Sequence, residues 1–142
     1  WFYRGCGYAL DALDILGDRY GALARERAAD ETDPKIRKYY EDAARAFEVV
    51  PKKPAYDFTS AVHAFWLVFT ADGSDSPGRF DQYMYPFYKK DMDDGVMSIE
   101  EAQELLDNIW VKLNDINKVR DIIKNEMLAI KEKYADEFDF VD

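Results

Sequence analysis

A mainly α-helical fold is what this sequence predicts, on three observations. Apolar residues recur at steps of three and four over several long stretches, the spacing that gathers them on one side of a helix. Capping residues stand at the heads of those stretches. No run alternates apolar and polar residues over a convincing strand length, and there is no internal repeat or low-complexity segment.

In the first helix Ala9, Leu13, Leu16, Tyr20 and Leu23 form the stripe. Thr32 and Asp33 then precede Pro34, a cap followed by proline at the first helical position, where its missing N–H costs nothing. The second stripe runs Ile36, Tyr40, Ala43, Phe47 and Val50, with Pro51 and Pro54 ending it. Asp57 or Thr59 caps a third helix whose apolar residues nearly encircle it from Ala61 to Phe69, so it should be buried on most sides and central. The turn formers from Asp72 to Gly78 predict a loop.

Phe80, Met84, Phe87 and Tyr88 share a face of a fourth helix, in which Pro86 predicts a kink or restart. Ser98 with Glu101 is a capping box, and Ile99, Ala102, Leu106, Ile109, Leu113 and Ile116 follow it. Val119, Ile123, Met127, Ile130 and Tyr134 extend the stripe, as one long helix or as two with a joint near residues 114–117.

The 142 residues suffice for one ordinary domain, 1–142. With 19 Lys and Arg against 29 Asp and Glu, the net charge is −10, which disfavours nucleic acid and anionic membranes as partners. No apolar run approaches the roughly 20 residues of a membrane span. Cys6 is the single cysteine, so no internal disulfide forms, and with no signal peptide a reducing cytoplasm is the expected compartment.

The densest pattern is Ser76-Pro77-Gly78-Arg79-Phe80-Asp81-Gln82-Tyr83-Met84-Tyr85-Pro86-Phe87-Tyr88, with five aromatics in thirteen residues. It resembles the SPGRFDQYLYPFY signature of the glycyl radical enzymes, the pyruvate formate-lyase-like family. The likeness continues through Arg19-Tyr20-Gly21, Val50-Pro51, Pro54-Ala55, the helix Ala61 to Val68, Ser98 to Ala102 and Trp110 to Lys118, in the family's order. It covers about residues 8–121, and the tail 122–142 diverges.

The resemblance implies a multi-helix segment of the helical part of such an enzyme, without the catalytic β/α barrel. It implies a parent that cleaves C–C, C–O or C–N bonds in small metabolites as a lyase, dehydratase or decarboxylase in an anaerobic bacterium. The parent would carry a protein glycyl radical installed by an iron–sulfur, S-adenosylmethionine-dependent activase, with no cofactor in this chain. Expected partners are the rest of the enzyme, a homodimer mate and that activase. The family's catalytic cysteine, followed two residues on by glutamate, and its RVxGY-like glycine loop have no counterpart here. Cys6, with Tyr8 two residues on, does not match, so no catalytic residue is assigned and the isolated chain is expected to be inactive. A segment without its barrel should expose apolar surface.

Among site residues, the resemblance places Ser74 near substrate, at the serine of a His-Ser pair whose histidine is replaced by Gly73. Arg79 and Asp81 form a structural motif that locks the loop to the core: on a helix they would diverge and each would find another partner, whereas in an extended approach they would point the same way. His63, alone on an apolar helix, reads as a hydrogen-bonded core or boundary histidine and not a metal ligand. Cys6 reads as a small packing residue between glycines. Asp94-Gly95 with Glu101 imitates half a calcium loop, but Lys90 and Met92 occupy the first and third ligand positions, so a helix–turn–helix link fits better and no metal is expected. The alternative function is a stand-alone helical module binding a partner protein through an exposed aromatic face.

Overall fold

The computed structural model describes the backbone of residues 1–72 and 76–133, with side chains for 1–71 and 76–116. It contains five helices: α1 (Phe2–Asp30), α2 (Pro34–Phe47), α3 (Phe58–Asp72), α4 (Phe80–Asp93) and α5 (Ile99–Lys133). No strand or barrel occurs among the described residues, in agreement with the helical class. The chain divides into two compact units, residues 1–106 and 107–142.

In the first unit α3 is central, packing against α1, α2 and α4, as its encircling apolar residues demand. Phe47, Val50 and Leu67 form the buried core, with Leu16, Tyr20, Ala55 and Ala64 packed against it. α1 starts well before its predicted stripe, because Gly5 and Gly7 dilute the pattern there, and Phe2, Tyr3 and Tyr8 are exposed. Leu23, assigned to the stripe, is also exposed. α2 stops at Phe47, three residues before the position expected to close the stripe, and Val50 is buried from a turn instead.

The caps are local and chemically explicit. Asp33 Oδ1 accepts from the N–H groups of Lys35 at 2.8 Å and Ile36 at 3.2 Å. Asp57 Oδ1 accepts from Ser60 N at 2.7 Å, while Ser60 Oγ accepts from Tyr56 N and Asp57 N, a reciprocal box at the head of α3. Ser98 and Glu101 exchange the same pair of bonds at the head of α5, at 3.0 and 3.1 Å. Lys35 with Glu104 and Lys38 with Glu101 link α2 to the first turns of α5 by exposed ion pairs of 2.8 and 2.6 Å.

α4 ends in a Schellman motif. Gly95 adopts φ +67°, Val96 N donates to Asp91 O at 3.0 Å, and Gly95 N donates to Met92 O at 3.2 Å. Pro86 lies inside α4, which the structure makes one helix and not two pieces. Gln82 and Pro86 are both exposed, so the Gln82 carbonyl that loses its donor faces water, which lowers the cost of the proline. α5 is likewise a single helix across residues 114–117; the side chains of Val119, Ile123, Met127 and Ile130, and Tyr134 as a whole, lie outside the described residues. Within the second unit Ile109 and Leu113, one turn apart, are buried, while Trp110 and Val111 are exposed.

Two glycines set how closely α1 approaches its neighbours. A Cβ on Gly17 would lie 2.8 Å from Pro51 Cδ and 3.3 Å from the Val50 carbonyl oxygen, and one on Gly21 would lie 3.2 Å from Phe47 Cβ. Gly17→Ala should therefore destabilise the chain by about 1–3 kcal/mol through overpacking, although alanine is the better helix former. Gly5→Ala, with nothing within 4 Å of the added Cβ, should stabilise it by about 0.5–1 kcal/mol. Urea unfolding of the two variants measures the opposite signs.

Candidate functional site

The signature segment runs along α4 and the loop before it. Gly78 takes φ +61°, the left-handed region that glycine enters without a Cβ clash. Gly78 N donates to Ser76 Oγ at 3.2 Å, and the Tyr83 hydroxyl donates to the Pro77 carbonyl at 2.8 Å. These bonds fold the loop back onto the first turns of α4. Tyr83 is thus the residue that pins the loop, and its position one turn into the helix was the only sequence signal of that role.

Arg79 and Asp81 pair with each other and not with separate partners. Arg79 is the residue before α4, outside its helical geometry, so its side chain reaches Asp81 directly: Nε donates to Oδ1 at 3.2 Å and Nη2 to Oδ2 at 3.0 Å. Both side chains are 69% exposed. The Arg79 hydrogen bonds hold the Asp81 carboxyl below its usual range. Exposed pairs of this kind are screened by water and salt and contribute little to stability. Ser74, the residue expected near substrate, and Gly73 lie outside the described residues.

Behind the loop, α3 and α4 meet through aromatic rings. Phe65 packs against Phe69, Phe80 and Tyr83 with centroids 5.2, 5.0 and 6.3 Å apart, and Phe58 meets Tyr88 edge-on at 5.7 Å. An open groove of about 460 Å³ borders this cluster, lined by Ala61, Ala64, Phe65, Val68, Phe69, Met84 and Phe87, with Ser76 and Tyr83 at its polar margin. Among the described residues no carboxylate, imidazole, amine or thiol lines it, and those residues offer apolar contact with the Ser76 and Tyr83 hydroxyls at the margin.

Asp91, which the sequence did not single out, is the one charged residue buried in the core among the described residues, at 2% exposure. Its Oδ2 accepts from Phe58 N, the first free donor of α3, at 2.8 Å. Its Oδ1 is buried with no hydrogen-bond partner among the described residues. Asp91 stands thirty-three residues from Phe58, so only the tertiary fold reveals the cap.

His63 sits as the sequence suggested, on α3, with its ring edge-on to Phe47 at 5.4 Å. Nδ1 lies 2.8 Å from the Thr59 carbonyl; a carbonyl only accepts, so Nδ1 carries the proton and donates. Burial lowers the His63 pKa below its ordinary 6.5. Cys6 is exposed on α1, not packed between glycines as expected, because α1 begins at Phe2 and its first turns meet no neighbour. No group of three His, Cys, Asp or Glu residues able to hold a metal occurs among the described residues. No helix there is long and apolar enough to cross a membrane. Large apolar side chains are exposed, among them Ile15, Val68, Tyr85 and Trp110.

A family described as pyruvate formate lyase-like matches residues 1–136. The trans-4-hydroxy-L-proline dehydratase of Clostridioides difficile is 36% identical over 114 residues, covering 75% of this chain and 14% of the relative. The isethionate sulfite-lyase of Nitratidesulfovibrio vulgaris is 40% identical over 108 residues, covering 71% of this chain and 13% of the relative. A solved structure concerning 1,2-propanediol dehydration in Roseburia inulinivorans superposes with a TM-score of 0.71 at 45% identity, over 74% of this chain and 14% of that one. The chain thus spans about one-seventh of the length of the relatives it matches.

Two outcomes follow from this geometry. Asp91→Ala should cost about 1–3 kcal/mol by stranding the buried Phe58 N–H, whereas Asp91→Asn keeps an acceptor and should cost less; thermal melts of both variants give the order. Because the folded-state pKa of His63 is depressed, protons bind the unfolded chain more readily. Its contribution is therefore intact above about pH 6.5 and is lost as pH falls from there through the lower folded value. That component of acid destabilisation should vanish in His63→Gln, as followed by urea midpoints between pH 7.5 and 5.

Proposed function

The chain belongs to the pyruvate formate lyase-like family of glycyl radical enzymes, and from that premise we propose that it is a helical segment of a glycyl radical dehydratase, lyase or decarboxylase acting on a small metabolite. In this reading it supplies scaffold and the loop at Ser76–Arg79, and the reacting groups belong to sequence beyond it. The observation that carries the reading is the ordered match over residues 1–136 combined with coverage of only one-seventh of the relatives. The substrate-facing role of Ser74 and the structural role of Arg79 and Asp81 belong to the same proposal.

The parent would hold a glycyl radical, which supplies hydrogen abstraction through a cysteine, and would take it from an iron–sulfur, S-adenosylmethionine-dependent activase. Among the described residues nothing fits such a relay. Cys6 is exposed on α1 and does not line the groove behind the signature loop, so no radical step is assigned to this chain. What its residues do is hold geometry: Tyr83 fixes the loop through Pro77, and the Phe65 cluster fixes α4 against α3. The rest of the enzyme and a homodimer mate are the proposed partners, and a reducing cytoplasm of an anaerobic bacterium is the proposed compartment.

The coding sequence on both sides of this segment in its source genome is the test. An open frame continuing into a cysteine followed two residues on by glutamate, and then an RVxGY-like glycine loop, is expected. The product of that frame should develop a glycyl radical signal in electron paramagnetic resonance after anaerobic incubation with an activase, while the 142-residue chain should give neither signal nor turnover. Stop codons closing both ends would overturn the reading and leave a stand-alone helical module.

A further inference from the structure

A second groove, distinct from the one behind the signature loop, lies between α1 and α3. It measures about 620 Å³ and is lined by Leu13, Ile15 and Leu16 of α1 and by Val68 of α3. Val68 also borders the groove between α3 and α4, so it forms a ridge between the two, 46% exposed, and Ile15 beside it is 54% exposed. An apolar surface that continues from one groove to the next is a docking face and not the scattered exposure of a monomer surface.

Among the described residues, one charged side chain lines this groove. Arg19 lines it, exposed, with no ion pair among the described residues, in walls that are otherwise alkyl. A guanidinium so placed keeps its stem on apolar surface and presents a planar fork of donors, the arrangement that selects a carboxylate. The complementary surface is therefore an apolar stretch with one Asp or Glu set against Arg19.

Two occupants are available: a second copy of this chain, or the polypeptide beyond it. Each copy carries a net charge of −10, so self-pairing brings like charge together. Most of the length of a relative lies outside the matched segment. We propose that the groove between α1 and α3 seats an apolar, carboxylate-bearing segment of the same polypeptide from beyond this chain. This rests on the reading that the chain is part of a longer glycyl radical enzyme.

Maleimide labelling at position 68 tests it. Val68→Cys is placed in a Cys6→Ser background, both in the 142-residue chain and in the full-length enzyme, and modification at position 68 is read by peptide mass spectrometry. The short chain should label rapidly at every concentration, and the full-length enzyme at least tenfold more slowly. Arg19→Glu should restore most of the labelling in the full-length enzyme, and Arg19→Lys should not. Equal labelling of both chains, in a full-length enzyme that still forms its radical, overturns the docking while the functional reading stands. Protection of the short chain that grows with its concentration overturns it in favour of a second copy. A coding frame closed at both ends removes the reading and the docking together. Should the substituted enzyme fail to fold, hydroxyl-radical footprinting of Leu13 and Leu16 in the unsubstituted chains makes the same comparison, with protection in the full-length enzyme expected and equal oxidation decisive against it.

Discussion

The arrangement of α3 and α4 depends on Asp91. Its main-chain carbonyl accepts the Val96 N–H that terminates α4, and its carboxylate accepts the Phe58 N–H that opens α3. One residue thus ends one helix and begins another, and it does so at 2% exposure, where an unmet donor is costly. With that end held, the aromatic contacts of Phe65 with Phe80 and Tyr83 settle the other end, and the loop before α4 is carried into place between them. The two fastenings are chemically unlike, one a charge-assisted hydrogen bond and the other apolar packing, and α4 lies between them.

On the opposite side of α3 the governing feature is absence of bulk. Gly17 and Gly21 bring α1 against the Val50–Pro51 turn and Phe47, where an added Cβ would crowd Pro51 Cδ and the Val50 carbonyl or the Phe47 Cβ. Close approach there buries Phe47, Val50 and Leu67, yet further along the same pair of helices Leu13, Ile15 and Val68 remain open. The core is thus complete around a few residues, and the apolar stripe on α1 is wider than the core uses.

The sequence made local structure legible where the partners lie within four residues of each other. Asp33, Asp57 and the Ser98–Glu101 pair cap as their positions imply, and the helical class follows from the stripes. The family was legible because its signature is a dense run of uncommon residues in a fixed order. What failed depended on solvent or on distance along the chain. Pro86 breaks no helix because the carbonyl it orphans faces water, and Arg79 meets Asp81 because it stands just outside the helix that would have kept them apart. Asp91 carried no local signal at all, since its partner is thirty-three residues away.

The helices of the first unit make their contacts largely in chain order: α1 with α2, α2 with α3, α3 with α4, and α1 back to α3. Such wiring keeps loop-closure entropy small and lets structure accumulate from one end, without waiting for distant sequence. On a ribosome, this unit is able to consolidate as its own helices emerge. The grooves beside Val68 are lined by residues of this unit alone, so they are complete as soon as its own helices have packed.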